Sequence, residues 1–208
     1  MESRFSFLTI AKESEGVYKE KGSKFISYAI PVNSTEAIKL HLERLRRHHF
    51  DARHHCFAWM LGPEKSNHRA SDDGEPNHSA GDPILGQIRS QDLTDILIVV
   101  VRYFGGTKLG VSGLINAYKT AAADAISHAV IIEREVFFQV RVTADYKATA
   151  DVMKLIKDFD ANISKQQFND SESVLSLDIP ERNREEFQRK VQLIRSMGSN
   201  IEVSFDDL

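Results

Sequence analysis

The sequence predicts an α+β protein built as two domains, residues 1–134 and 135–208. Three observations predict it. An unbroken aliphatic run, Ile96 to Val101, reads as a strand apolar on both faces, which belongs in the middle of a covered sheet. Strand and helix patterning restarts after Ile131-Ile132-Glu133-Arg134-Glu135. The tail then runs strand–helix–strand–strand–helix–strand, the order of a split βαβ plan.

In the first domain, Phe5 to Ala11, Gly16 to Lys21 and Lys24 to Val32 read as three strands. Ser34 is placed to cap a helix whose Ile38, Leu42 and Leu45 share one face. His55 to Leu61 reads as a fourth strand, and the polar stretch from Gly62 to Ser79 as a long loop. Asp82-Pro83 opens a short helix carrying Ile84, Leu85 and Ile88. After the central strand, a small-residue helix sets Leu114, Ala117, Ala121 and Ala125 on one face.

In the second domain, Phe138, Val140 and Val142 alternate as in a half-buried strand. Val152, Leu155, Ile156 and Phe159 form a helical stripe, and Ile163 to Phe168 is a weaker strand. Asn169 to Glu172 is a turn; Leu175, Leu177 and Ile179 alternate again up to Pro180. Phe187, Val191, Ile194 and Met197 make a second helical stripe, stopped by Gly198, and Ile201, Val203 and Phe205 a last strand. This is the ferredoxin-like order, with helices on one sheet face and the other open to a partner or to the first domain.

Composition narrows the function classes. The chain has 208 residues, 41% of them hydrophobic and 27% charged with both signs interspersed, which describes a well-cored, ordered protein. A net charge of −3 argues against non-specific wrapping of nucleic acid but allows a local basic patch. Up to Val136 the numbers of Lys/Arg and Asp/Glu are equal, so any basic function must come from clustering. Cys56 is the single cysteine, so no internal disulfide forms. The start, Met-Glu-Ser-Arg-Phe-Ser-Phe-Leu, lacks a signal peptide's apolar segment, and no run reaches the length of a membrane span. A cytoplasmic location is expected.

The strand ending at Arg102 runs into Gly105, Gly106, Gly110 and Gly113 and then a helix. Strand, glycine-rich turn and helix N-terminus can present backbone N–H groups to an anion. The same glycines also allow a sharp turn and close packing. The pattern matches neither common phosphate loop: G-x-G-x-x-G is absent, and Val111 stands where a P-loop requires lysine.

Two polar clusters remain. Arg44, Arg46, Arg47, His48, His49, Arg53, His54 and His55 form the densest; arginines grip phosphates and histidines stack on bases. The helical arginines equally suit a solvated face complementing the helix dipole. Ser71 to Pro76 packs Asp72, Asp73 and Glu75 around Gly74. Those carboxylates suit a polar turn, a divalent metal with His54, His55 or His78, or the orientation of an arginine such as Arg102. The spacing fits neither an EF-hand nor H-E-x-x-H, so no metal and no cofactor is expected. Cys56 and His55 are adjacent on a strand and point to opposite faces, which makes the cysteine a structural one. No catalytic group is identified.

Read together, D-A-R-H-H-C-F-A-W (51–59), S-D-D-G-E-P (71–76), G-D-P-I-L (81–85) and I-V-V-V-R-Y-F-G-G-T-K-L-G-V-S-G-L-I-N-A-Y (98–118) resemble the IMPACT family, including its bacterial YigZ-type members. The motifs fall in the family's order over roughly 16–130, and the tail resembles the bacterial members' second domain. One departure is Asn77-His78-Ser79-Ala80-Gly81, where the family usually carries small residues and a G-T-A-G-like run; His78 is an addition. The resemblance implies a ribosomal-protein-like first domain, like domain IV of elongation factor G, and a ferredoxin-like second domain like its domain V. It thereby implies RNA or the ribosome as partner and an effect on the regulation of translation.

The resulting expectation is a cytosolic, non-enzymatic RNA- or ribosome-associated protein. Carried over motif by motif, its ligand- or phosphate-binding residues are Arg53, His54, Asp72, Asp73, Glu75, Arg102, Tyr103, Gly105, Gly106, Lys108 and Gly110. Arg102 and Lys108 would contact phosphates, the glycines would let the backbone approach, and the three carboxylates would position the arginines. The alternatives are an enzyme acting on a phosphorylated or nucleotide-like small molecule, and a protein–protein interaction module using the open ferredoxin-like sheet.

Overall fold

The structure is a computed structural model and describes residues 5–205. Its contacts divide the chain into two compact units. One is Phe7–Arg134; the other is 135–205 joined by residues 5 and 6. Both are mixed helix and sheet, so the α+β class is observed.

The first unit centres on a five-stranded antiparallel sheet. Its strands are β2 (Ser14–Glu20), β3 (Ser23–Pro31), β4 (His54–Leu61), β5 (Asn67–Ser71) and β6 (Ile96–Tyr103), in the order β2-β3-β6-β4-β5. The aliphatic run of β6 is central, and Ile96 to Val101 are fully buried. Both faces are covered. Helix α1 (Thr35–His48) lays Ile38, Leu42 and Leu45 onto Tyr28, Ile30, Phe57, Trp59, Val99 and Val101. Helices α2 (Gly81–Ser90) and α3 (Gly110–Ser127) cover the opposite face, where Phe25, Cys56, Ile98 and Val100 meet Ile84, Leu114 and Ala117. Two covered faces explain why β6 reads as continuously apolar rather than alternating. A ribbon of β1 (Ser6–Ile10) and β7 (Ile131–Glu135) completes the unit.

One expectation needs correction. The stretch read as a loop over 62–79 contains β5, a polar edge strand paired to β4. An edge strand exposed on one side needs no apolar alternation, so periodicity does not reveal it. Residues 131–135, after which the patterning restarts, form β7.

The second unit is an antiparallel sheet of β8 (Phe137–Asp145), β9 (Asn162–Phe168), β10 (Glu172–Pro180) and β11 (Ile201–Phe205), ordered β11-β8-β10-β9. Helices α4 (Thr149–Asp158) and α5 (Arg184–Ser196) bury Val152, Leu155, Phe187 and Val191 against Phe138, Val140, Leu175 and Leu177. This is the ferredoxin-like arrangement that the alternation predicts. Gln139 and Arg141 project from the face without helices.

Candidate functional site

The end of the first sheet where β6 leaves the core gathers most of the residues singled out by sequence. Register does this. Tyr103 lies opposite Lys24 on β3, and Arg102 lies opposite Phe25 on one side and His54 on the other. Arg53, immediately before β4, therefore meets the same strand end. The β2–β3 turn, with Lys21 and Gly22, packs against the glycine loop: a Cβ on Gly105 would fall 1.8 Å from the carbonyl carbon of Gly22. Only glycine fits there. Gly106, at φ 87°, occupies the left-handed region.

Arg102 is buried, at 7% exposure. Its Nη1 donates to Glu75 Oε1 at 2.6 Å, and Tyr118 Oη donates to the same oxygen at 2.8 Å. The guanidinium lies over the rings of Phe25 and Phe104, at 5.5 and 5.7 Å. Nε of Arg102 is buried without a hydrogen-bond partner. Among the described residues its guanidinium donates one hydrogen bond, to Glu75, of the five N–H donors it carries.

The three carboxylates of the acidic turn go separate ways. Asp73 (φ 42°) and Gly74 (φ 87°) reverse the chain there. Glu75 reaches Arg102. Asp73 accepts from the His55 backbone N–H at 2.6 Å and pairs with Arg46 at 3.4 Å. Asp72 accepts from the N–H groups of His78, Ala80 and Gly81 at 2.8–2.9 Å, capping the start of α2. Burial pulls the Asp72 carboxyl upward, but these three backbone donors outweigh it and hold it below the ordinary value. The expectation that all three carboxylates position arginines thus meets a narrower geometry: Glu75 holds Arg102 and Asp73 holds Arg46 from the helix, while Asp72 serves the backbone. Among the described residues no group of three His, Cys, Asp or Glu is arranged to hold a metal ion.

The histidines separate too. His49 is buried and bridges two tyrosines, its Nε2 2.8 Å from Tyr28 Oη and its Nδ1 2.9 Å from Tyr103 Oη. Tyr103 Oη lies 3.1 Å from Asp51 Oδ1. His54 Nδ1 donates to the Asp73 carbonyl at 2.9 Å. His55 is buried with Nε2 unpartnered. Burial lowers the pKa of both His49 and His55, favouring neutral rings. His78 is exposed and pairs with Asp82 at 2.6 Å, which raises its pKa. Cys56 is buried and donates to the Asp72 carbonyl at 2.9 Å; burial pushes the thiol up, which keeps it protonated and inert.

The exposed residues of this end include several cations beside the acid Asp51. Lys21, Lys24, Arg53 and Lys108 are exposed and make no ion pair among the described residues. Lys108 lies two residues before α3, whose N-terminus has no side-chain cap and no acidic residue in its first turn. Gly110, at φ 72°, starts that helix. Sequence reasoning passed over Lys21, Lys24, Phe50, Phe104 and Tyr118. The lysines acquire meaning only from the register opposite Tyr103, and Tyr118 hides within an apolar helical stripe.

This α+β architecture with its R-Y-F-G-G-T-K-L-G turn defines a family. The Impact N-terminal domain model matches residues 21–126. Over 165 residues the chain is 33% identical to the IMPACT family member YigZ of Escherichia coli (strain K12), covering 78% of this chain and 81% of that protein. It is 33% identical over 141 residues to the IMPACT family member YvyE of Bacillus subtilis (strain 168), covering 68% of this chain and 65% of that one. A crystal structure described as that of a hypothetical protein superposes with a TM-score of 0.76 at 30% identity, covering 97% of both chains. The chain belongs to the IMPACT family.

Proposed function

We propose that the first domain is an RNA-binding module, with ribosomal RNA as a natural ligand, and that the protein acts on translation without catalysing a reaction. One observation carries this reading: a domain of balanced formal charge places Lys21, Lys24, Arg53 and Lys108 unpaired at one end, beside an uncapped helix N-terminus. Clustered cations and free backbone N–H groups are what a phosphate backbone needs. The link to translation rests on the resemblance of the two-domain layout to domains IV and V of elongation factor G.

In this reading Lys24, Arg53 and Lys108 make the outer phosphate contacts. Arg102, held by Glu75 and buried beneath Phe104, supports this end from within rather than making an outer contact. Co-sedimentation with ribosomes and with protein-free ribosomal RNA tests the proposal. The chain is expected in both pellets at low salt and to leave them as salt rises. A chain that stays in the supernatant and shifts neither ligand at low salt contradicts it.

A further inference from the structure

Two phenylalanines at this same end are displayed rather than buried. Phe104 is 55% exposed and Phe50 is 84% exposed. Neither sits on a loose segment. Phe104 is followed by Gly105, clamped against Gly22 with its N–H donating to Ser23 Oγ at 3.2 Å. The Arg102 guanidinium also backs the Phe104 ring. Phe50 stands at the corner of a turn closed by the Ala52 N–H donating to the His49 carbonyl at 3.0 Å. The next residue, Asp51, is bonded by Tyr103, the neighbour of Phe104. The segments that carry the two rings are thus linked through Tyr103 Oη, which hydrogen-bonds both His49 Nδ1 and Asp51 Oδ1.

Their surroundings decide what they suit. A protein partner's apolar surface would call for a contiguous apolar patch. Here each ring has cations close by in the chain or across the sheet: Arg53 and the paired Arg46 and Arg47 near Phe50, beside the acid Asp51, and Lys24 and Lys108 near Phe104. Single flat rings spaced among cations match a strand of nucleotides, whose bases stack on the rings while its phosphates meet the charges. Duplex RNA keeps its bases stacked on each other and offers them no ring-sized face. We propose that Phe104 and Phe50 are stacking platforms for unpaired bases, so that this surface takes single-stranded RNA in preference to duplex. The inference rests on the RNA-binding reading above and adds the state of the RNA.

The test uses the full chain, labelled oligouridylate and oligoadenylate of about 12 nucleotides, and a hairpin duplex with the same number of phosphates. The single strands are expected to bind more tightly than the hairpin. Phe104→Leu and Phe50→Leu are each expected to weaken single-strand binding about tenfold and leave hairpin binding unchanged. Phe104→Trp and Phe50→Trp keep a flat ring and are expected to retain it. A 2-aminopurine placed in the single strand is expected to be quenched on binding to the parent and less so in the Leu variants. If Phe104→Leu proves unfolded by its thermal midpoint, Phe50→Leu carries the comparison. Equal or tighter hairpin binding, or Leu variants that bind single strands as the parent does, overturns base stacking while leaving RNA binding in place. Displacement of the RNA by oligoglutamate as readily as by unlabelled oligouridylate also overturns it. Absence of binding to every RNA overturns both readings.

Discussion

At the scale of residues, the decisive feature is where each charge spends its hydrogen bonds. Arg102 and Glu75 are both buried, and each is the other's ionic partner. Removing one member of such a pair strands the other charge in the core. Arg102→Ala is therefore expected to destabilise the first domain by about 3–5 kcal/mol, measured by denaturant unfolding. A loss as small as that of a surface substitution would show that the pair is not structural. This also limits Arg102 as a probe of ligand binding, for which Lys24, Arg53 and Lys108 are cleaner. The buried histidines set a pH dependence. His49 and His55 have folded-state pKa values lowered by burial from 6.5, so the unfolded chain binds more protons than the folded one. Their contribution is complete above 6.5 and is lost as pH falls through the lowered values. Asp72, lowered from 3.8, adds a second loss in more acid solution. Thermal midpoints are expected to fall below pH 6.5, and His55→Phe is expected to flatten that fall. An unchanged pH profile in both His55→Phe and His49→Gln would contradict the assignment.

At the scale of elements, sequence periodicity located what packing dictates and missed what pairing dictates. Ile96 to Val101 announced a strand covered on both faces because every side chain there enters a core. The alternation of Phe138, Val140 and Val142 announced a sheet with one covered face for the same reason. Strand β5 carries no such signal: Asn67, His68 and Arg69 are exposed and the strand exists through its ladder to β4. The candidate site follows the same division. The acidic turn was legible as a cluster, but the fate of each carboxylate depends on the left-handed backbone at Asp73 and Gly74, which spacing does not reveal. Helix α2 illustrates the consequence, since its first N–H groups are capped by Asp72, eight and nine residues upstream. Asp72→Ala is expected to cost about 1–2 kcal/mol through the lost cap. Hydrogen exchange should show faster exchange at Ala80 and Gly81 than in the parent. Unaltered protection at both amides would mean that water replaces the carboxylate without loss.

At the scale of the whole molecule, the account describes two α+β units, one of which carries an accessible basic end. Carboxylates committed to backbone N–H groups and to arginines leave few oxygens for a cation. Titration with magnesium, manganese and zinc followed by calorimetry is therefore expected to show no tight stoichiometric uptake. Uptake abolished by Asp73→Asn would favour an enzyme acting on a phosphorylated small molecule. No described helix is long and apolar enough to cross a membrane. The proposal that the basic end meets RNA rests on its unpaired cations and helix N-terminus.

The most direct measurement is the salt dependence of RNA affinity for the parent chain and for the combined variant Lys24→Glu, Arg53→Glu, Lys108→Glu. Three phosphate contacts to a single strand predict a slope of about −2 in log affinity against log salt. The variant is expected to lose most of that slope together with most of its affinity at low salt, with its thermal midpoint unchanged because all three side chains are exposed. A variant that keeps the parent's affinity and slope would contradict the claim that this end of the sheet is where the protein meets RNA.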